Sequence, residues 1–306
     1  MRGGAGADGA ELIFRVVAFA VAFGLAGCER EAPPVVAGPT QFVVGQGYQS
    51  QGEWLYPQNF TSYDKTGLSE VVIDGHKPLT ADNEVYDPDA IAAASPVLQL
   101  PSIVTVTNLA NGYSMDVRVN DRGPDNPGRI IAVTPRVASL LGFPQDGVTE
   151  VEVALKVQET TQLDAALGQG PKLTAAPVAS ITEQSLGPPG GTSGPGGRAA
   201  VEVIGGGGQD DGTSAPDPVT LSGQVTAYPP SPGPLYVQVP GFGRPADAYG
   251  TMDILAGMPA NIVPTEGGDR VLYAIRLGPY SDVASADAAL RDCLQRGVTD
   301  PEIIVR

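Results

Sequence analysis

Apolar and polar residues alternate over Ile103 to Leu109 and again over Tyr113 to Asn120, the period of two that marks half-buried strands. Asn111-Gly112 lies between the two runs and predicts a type I′ hairpin turn, which needs positive φ at both central residues. Ile130 to Val133 and Thr149 to Leu155 read as further strands. A short helix is bracketed by Thr134 as its cap, Pro135 at its first position and Gly142 as its stop. Short strands, tight turns and little helix predict a small closed barrel. The pattern near the C-terminus is different. Leu235 to Val239 (strand), Pro245 to Leu255 (helix), Ala260 to Pro264 (strand), Val271 to Leu277 (strand), Ala284 to Arg296 (helix, stopped by Gly297) and Glu302 to Val305 (strand) follow in order. This βαββαβ order predicts a ferredoxin-like α+β unit with its helices on one sheet face.

Between the two patterned regions, residues 157–233 have linker composition, with runs such as Gly187-Pro188-Pro189-Gly190 and Gly205 to Gly208. Such a segment lacks the apolar surface to offset chain entropy, so disorder and two independently mobile modules are expected. Glu159 to Leu167 has the makings of a short helix within it. The segment reads equally as a spacer between envelope layers or as a passive linker.

At the other end, Val16 to Leu25 is a nearly pure apolar run of about ten residues, half of what a membrane-spanning helix needs. Residues 1–27 therefore read as a secretory signal, although Asp8 and Glu11 are unusual there and a later translation start is an alternative. The run closes on Leu25-Ala26-Gly27-Cys28, which resembles a bacterial lipobox. That resemblance implies a diacylglycerol on Cys28, with residues 28–41 as the membrane tether, and Glu29 favours an outer-membrane address over retention in the inner membrane. Several acyl chains make such an anchor durable.

The 306 residues carry a formal charge of −16 with no basic segment, which argues against nucleic acid as a partner. Two cysteines and one histidine, His76, are too few for a Cys/His zinc site, and neither a metal nor an organic cofactor is expected. The one internal disulfide the sequence allows would join Cys28 to Cys293. Lipidation would exclude it, leaving Cys293 as a small apolar residue of the last helix.

Residues 42–156 resemble the rare lipoprotein A family. Val44-Gly45 to Trp54-Leu55-Tyr56-Pro57 matches the family's lead-in, and Leu79 to Asp87 matches its T-A-x-G-E-x-[FY]-D motif with Asn83 in place of glycine. Leu100-Pro101-Ser102 leads into Val106 to Gly112, and Val117 to Pro124 is the most specific match, followed by Gly128-Arg129-Ile130-Ile131. Residues 234–306 resemble a SPOR domain through Val237-Gln238-Val239 with Phe242 and through Leu272 to Tyr280, with Ala274 where the family commonly has arginine. The resemblance implies a double-psi β-barrel joined by the linker to a SPOR domain. It also implies endolytic lytic transglycosylase activity on glycan strands lacking stem peptides, a location in the cell envelope at the septum, and contact with the division machinery.

Lytic transglycosylases need one carboxyl group that acts first as acid and then as base while the sugar's own 6-hydroxyl attacks, so no enzyme nucleophile is required. The family's functional positions fall on Glu84, Asp121 and, where the family has histidine, Ser95. Serine cannot carry a proton near neutral pH as imidazole can. Another departure is Ala132, where the family has an acidic residue. Two readings stay open: an enzyme working through Asp121 and Glu84, or a septal binding lipoprotein with a non-catalytic barrel. In the SPOR domain, Gln238, Tyr273 and Arg276 are the expected glycan contacts.

Overall fold

The computed structural model describes residues 37–72, 77–144, 147–168, 221–267 and 270–306. The segment read as a secretory signal, Cys28, His76 and most of the Gly/Pro-rich segment lie outside these residues. Among the described residues no helix is long and apolar enough to cross a membrane.

The first module opens with a small hairpin, β1 (Tyr48–Ser50) and β2 (Glu53–Leu55). The barrel strands follow: β3 (Asp64–Val71), β4 (Ala92–Ala94), β5 (Ser102–Asn108), β6 (Tyr113–Asp121), β7 (Arg129–Val133) and β8 (Thr149–Leu155). Hydrogen bonding runs β4-β7-β3-β8-β5-β6, and a parallel pairing of β4 with β6 closes the ring. A second parallel pair joins β3 to β7. Strand alternation fills the interior: Val104, Val106, Val117, Val119, Val151 and Val153 all point inward and are fully buried. Helix α1 (Pro135–Leu141) has the expected ends, with Thr134 Oγ1 accepting from Val137 N–H and Gly142 in the left-handed region.

The turn between β5 and β6 differs from expectation. Thr107 and Ser114 are the last paired positions, so six residues, Asn108 to Tyr113, separate them, and of these only Gly112 has positive φ. Asn111 is held otherwise: its Oδ1 accepts from Tyr113 N–H at 2.8 Å and its Nδ2 donates to Leu141 O at 2.9 Å. Those bonds tie the hairpin tip to α1 and override the two-residue turn.

The segment read as linker is structured at both described ends. Helix α2 (Val157–Ala166) caps the barrel through Thr160, whose Oγ1 accepts from Ile103 N–H. The short β9 (Thr226–Ala227) extends the sheet beside β6.

The second module has the expected order: β10 (Leu235–Phe242), α3 (Pro245–Ile254), β11 (Ala260–Gly267), β12 (Arg270–Tyr280), α4 (Val283–Gln295) and β13 (Glu302–Val305). Its antiparallel sheet runs β11-β12-β10-β13. Val237, Ile275, Leu277 and Ile303 face the helices and pack with Ala286, Leu290 and Cys293. Burial pushes the Cys293 thiol up to about 11, in keeping with an apolar role.

The expectation of independently mobile modules is corrected by the way they pack. Edge strand β13 lies against β3, and Thr66 Oγ1 donates to Val305 O at 2.8 Å and accepts from Val305 N–H at 3.3 Å. A sheet edge would otherwise expose these unpaired groups. Arg129 is buried and makes a bidentate pair with Asp287 of α4, at 2.7 and 2.8 Å. Gly67 is required here, because a Cβ would come within 2.9 Å of Ile130 and 3.1 Å of the Ile303 carbonyl. Leu68 joins the apolar cluster of the second module.

Removing one partner of a buried ion pair strands the other charge, at about 3–5 kcal/mol. Arg129→Ala is therefore expected to lower the unfolding free energy by that much and to split the melting of the two modules into separate transitions. An unchanged single transition in calorimetry would show that this contact does not couple them.

Candidate active site

The site forms where a tight turn meets the end of β6. Leu79 and Val85 form an isolated bridge, Thr80 N–H donates to Glu84 O at 2.9 Å, and Asn83 N–H donates to Thr80 O at 3.0 Å. Asn83 has φ +74°, which explains how it stands where the family pattern has glycine: asparagine is among the few other residues that tolerate the left-handed region. The turn is fastened to β6 by Ala81 N–H donating to Asp121 Oδ1 at 2.8 Å and Asp82 N–H donating to Asn120 O at 3.3 Å.

On β6, Met115, Val117 and Val119 point into the barrel, and Arg118 points out. The pairing with β4 runs Ala93 to Val119 and then Ala94 to Asp121, so Asn120 is one extra residue in β6. Such a bulge re-aims side chains, and here Arg118, Asn120 and Asp121 all line one cavity. That cavity, about 240 Å³, also takes in Glu84, with Tyr86 and Ile91 among its other walls.

Glu84 is held from every side. Arg118 Nη2 donates to Oε1 at 2.6 Å and Arg118 Nε to Oε2 at 3.3 Å, while Asn120 Nδ2 reaches Oε2 at 2.9 Å and Thr40 Oγ1 reaches Oε1 at 3.1 Å. Asp121 Oδ1 takes two backbone donors, Ala81 N–H and Arg122 N–H, the latter at 2.7 Å. Two carboxyl groups thus share a cavity, one locked by side chains and the other by main-chain N–H groups. That arrangement can orient a saccharide and exchange a proton with it.

Ser95 is placed differently from the expectation of a catalytic position. It is fully buried, does not line the cavity, and its Oγ accepts from Leu98 N–H at 3.3 Å and Val97 N–H at 3.4 Å. Its own N–H donates to Asp121 O at 3.0 Å. The hydroxyl caps a turn, and the residue supports the Asp121 backbone from behind. Arg122 is structural too, donating to the carbonyls of Ser95, Leu98 and Val44 and so clamping the lead-in segment onto the barrel.

Two residues that sequence reasoning missed complete the site. Thr40 was read as tether, yet it bonds Glu84. Asp82 is fully buried; its Oδ1 accepts from Thr80 Oγ1 at 2.7 Å, and its Oδ2 lies 3.8 Å from Arg118 Nη2 without a hydrogen bond. The alternation of that short turn gives no sign of it. Burial, reinforced by Glu84 and opposed by Thr80, raises its carboxyl to about 6.

In the second module Gln238 and Arg276 are cross-strand partners on the sheet face away from the helices, and Arg276 Nη2 donates to Gln238 Oε1 at 3.0 Å. Tyr273 does not join them. It lies three residues from Arg276, and the pairing with β11 is regular between them, so alternation puts it on the face of Ile275 and Leu277. The aromatic residue beside Arg276 is Tyr236, whose ring centroid is 5.5 Å from the guanidinium carbon. The buried Leu235 and Val237 that flank Tyr236 in sequence were the available signal.

Comparison with known proteins agrees with this architecture. Residues 56–153 match the family described as lytic transglycolase, and residues 231–304 match the SPOR domain. The chain thus combines a lytic-transglycolase barrel of the double-psi type with a SPOR module. It is 30% identical to the Yersinia pestis protein named endolytic peptidoglycan transglycosylase RlpA, over 83% of this chain and 72% of that one. The Pseudomonas aeruginosa protein of the same name is 31% identical over 80% and 71% of the two chains. The Vibrio cholerae protein reaches 41% over a shorter stretch, 32% of this chain and 36% of that one. The chain belongs to the RlpA family.

A carboxyl whose folded pKa is raised binds its proton more tightly in the folded state, so its contribution is full below about 4 and is lost as pH rises through about 6. Asp82→Asn removes this dependence. Its stability relative to wild type, read from urea midpoints, is expected to improve from pH 4.5 to pH 7.5; a pH-independent difference would contradict the assignment.

Proposed function

We propose that the protein is an endolytic peptidoglycan lytic transglycosylase that cuts glycan strands lacking stem peptides and leaves 1,6-anhydro-muramyl ends. The observation that carries this reading is the meeting of Glu84 and Asp121 in one cavity beside the closed barrel. Asp121 is the acid/base. It protonates the glycosidic oxygen as the C1–O bond breaks, then takes the proton of the 6-hydroxyl as that oxygen bonds C1. Glu84, fixed by Arg118 and Asn120, stabilises the positive charge that develops at the anomeric centre. Ser95 takes no proton in this scheme; it holds the main chain at Asp121.

The open sheet face of the second module, with Tyr236, Gln238 and Arg276, is the glycan-binding surface. Stripping the stem peptides exposes lactyl carboxylates, and Arg276 suits them in charge. Residues 1–27 as signal, a lipid on Cys28, an outer-membrane location facing the periplasm, enrichment at the septum and contact with division proteins complete the proposal on the strength of the Leu25 to Cys28 pattern and the SPOR match. A second reading, a binding lipoprotein with a non-catalytic barrel, is favoured by the buried, turn-capping Ser95 hydroxyl.

Mass spectrometry after incubation with stripped glycan separates the two readings. The enzyme yields 1,6-anhydro products, and Asp121→Asn, which keeps the shape but cannot exchange a proton, is expected to lower the rate about 10²–10⁴-fold. Wild-type turnover by Asp121→Asn would refute the assignment. Glycan binding without anhydro products would establish the second reading.

A further inference from the structure

The contact between the modules creates a second surface that the proposed reaction does not use. A cavity of about 330 Å³ opens along it, with Trp54 and Tyr56 on one wall and Glu302 of β13 on the other. Both rings are exposed, at 47% and 56%, which is unusual for large aromatic side chains. The two rings are stacked, with 6.4 Å between centroids and 20° between planes. Carboxyl and amide groups rim it: Glu53, Gln58 and Glu302.

This cavity adjoins the open sheet face of the second module. A larger groove of about 730 Å³ runs over Gln238, Arg276 and Ile304, and it shares Lys65, Pro240 and Glu302 with the aromatic cavity. The joint is built: Lys65 Nζ donates to Glu302 Oε2 at 2.9 Å, and Gln238 Nε2 donates to Glu302 Oε1 at 3.2 Å. A chain lying on the sheet would meet the barrel's β3 wall and then the two rings.

Resting on the reading of the sheet face as the glycan surface, we propose that Trp54 and Tyr56 form a further saccharide subsite, so that one glycan strand lies across both modules. Pyranose rings have an apolar C–H face and a hydroxyl rim, which the exposed aromatic pair and its carboxyl border complement. Burial raises Glu53 to about 7, so near neutral pH its carboxyl both donates and accepts, as sugar hydroxyls require. The second module then does more than concentrate the protein on its substrate. It holds the strand in register with the barrel, and long strands gain affinity that short ones do not.

Trp54 is the sole tryptophan of the chain, so its emission reports on this subsite directly. The test titrates full-length protein with stripped glycan strands of graded length, following Trp54 fluorescence in parallel with a pelleting assay. Long strands are expected to shift the emission saturably, at the concentration at which they bind, while fragments short enough to fit on the sheet bind without the shift. Trp54→Ala and Tyr56→Ala, exposed positions whose melting should match wild type, are each expected to weaken long-strand binding about tenfold and to spare short fragments. Gln238→Ala with Arg276→Ala should weaken strands of every length. Silent Trp54 emission together with wild-type affinity in both aromatic variants would overturn the subsite while leaving the sheet reading intact. If the Gln238/Arg276 variant binds as wild type, both fall.

Discussion

The parallel pairing of β4 with β6 is the constraint on which the rest of the molecule depends. It closes the six-stranded ring, and it carries the one irregularity that matters for chemistry, the extra residue Asn120. With a regular ladder, Asn120 and Asp121 would point to opposite sides of the strand. The bulge allows both to line the cavity with Arg118, and the Thr80 to Glu84 turn then docks onto the strand end through Asp121 Oδ1 and Asn120 O. Glu84 is then held at the site by Arg118 and Asn120. The two carboxyl groups are therefore positioned by a single junction of turn and strand.

Burial divides the polar residues around this junction into workers and supports. Asp82 and Ser95 are fully buried and spend their side chains on local bonds, whereas Glu84 and Asp121 line the cavity. Arg118 stands between Asp82 and Glu84 and serves both. The Ser95 hydroxyl caps the turn after β4, so its hydrogen bonds are spent on the local backbone.

Much of this was legible in the sequence, for a physical reason. Strands half-buried on one face, such as β5, β6 and β8, alternate visibly, and α1 carries its own stop and start in Thr134, Pro135 and Gly142. Glu84 and Asp121 were singled out through their motifs, and both line the one cavity. What was missed depends on long-range contact. β3 was not anticipated, because Gly67 breaks its pattern, and only the docking of β13 explains that glycine. The hairpin tip was misread because Asn111 bonds Leu141, thirty residues away in the chain. Tyr273 was placed with Arg276 by proximity in the motif, while strand parity assigns it to the other face. The packing of the two modules through Arg129 and Asp287 leaves no local signature in either segment.

The central claim is that Glu84 and Asp121 work as one unit in one cavity. A double-mutant cycle on the rate of 1,6-anhydro product formation tests it most directly, using Glu84→Gln, Asp121→Asn and the double variant. Groups acting on the same transition state are non-additive, so the double variant should be scarcely slower than Asp121→Asn alone. Losses that multiply would mean that the two carboxyl groups act independently, and would contradict the account.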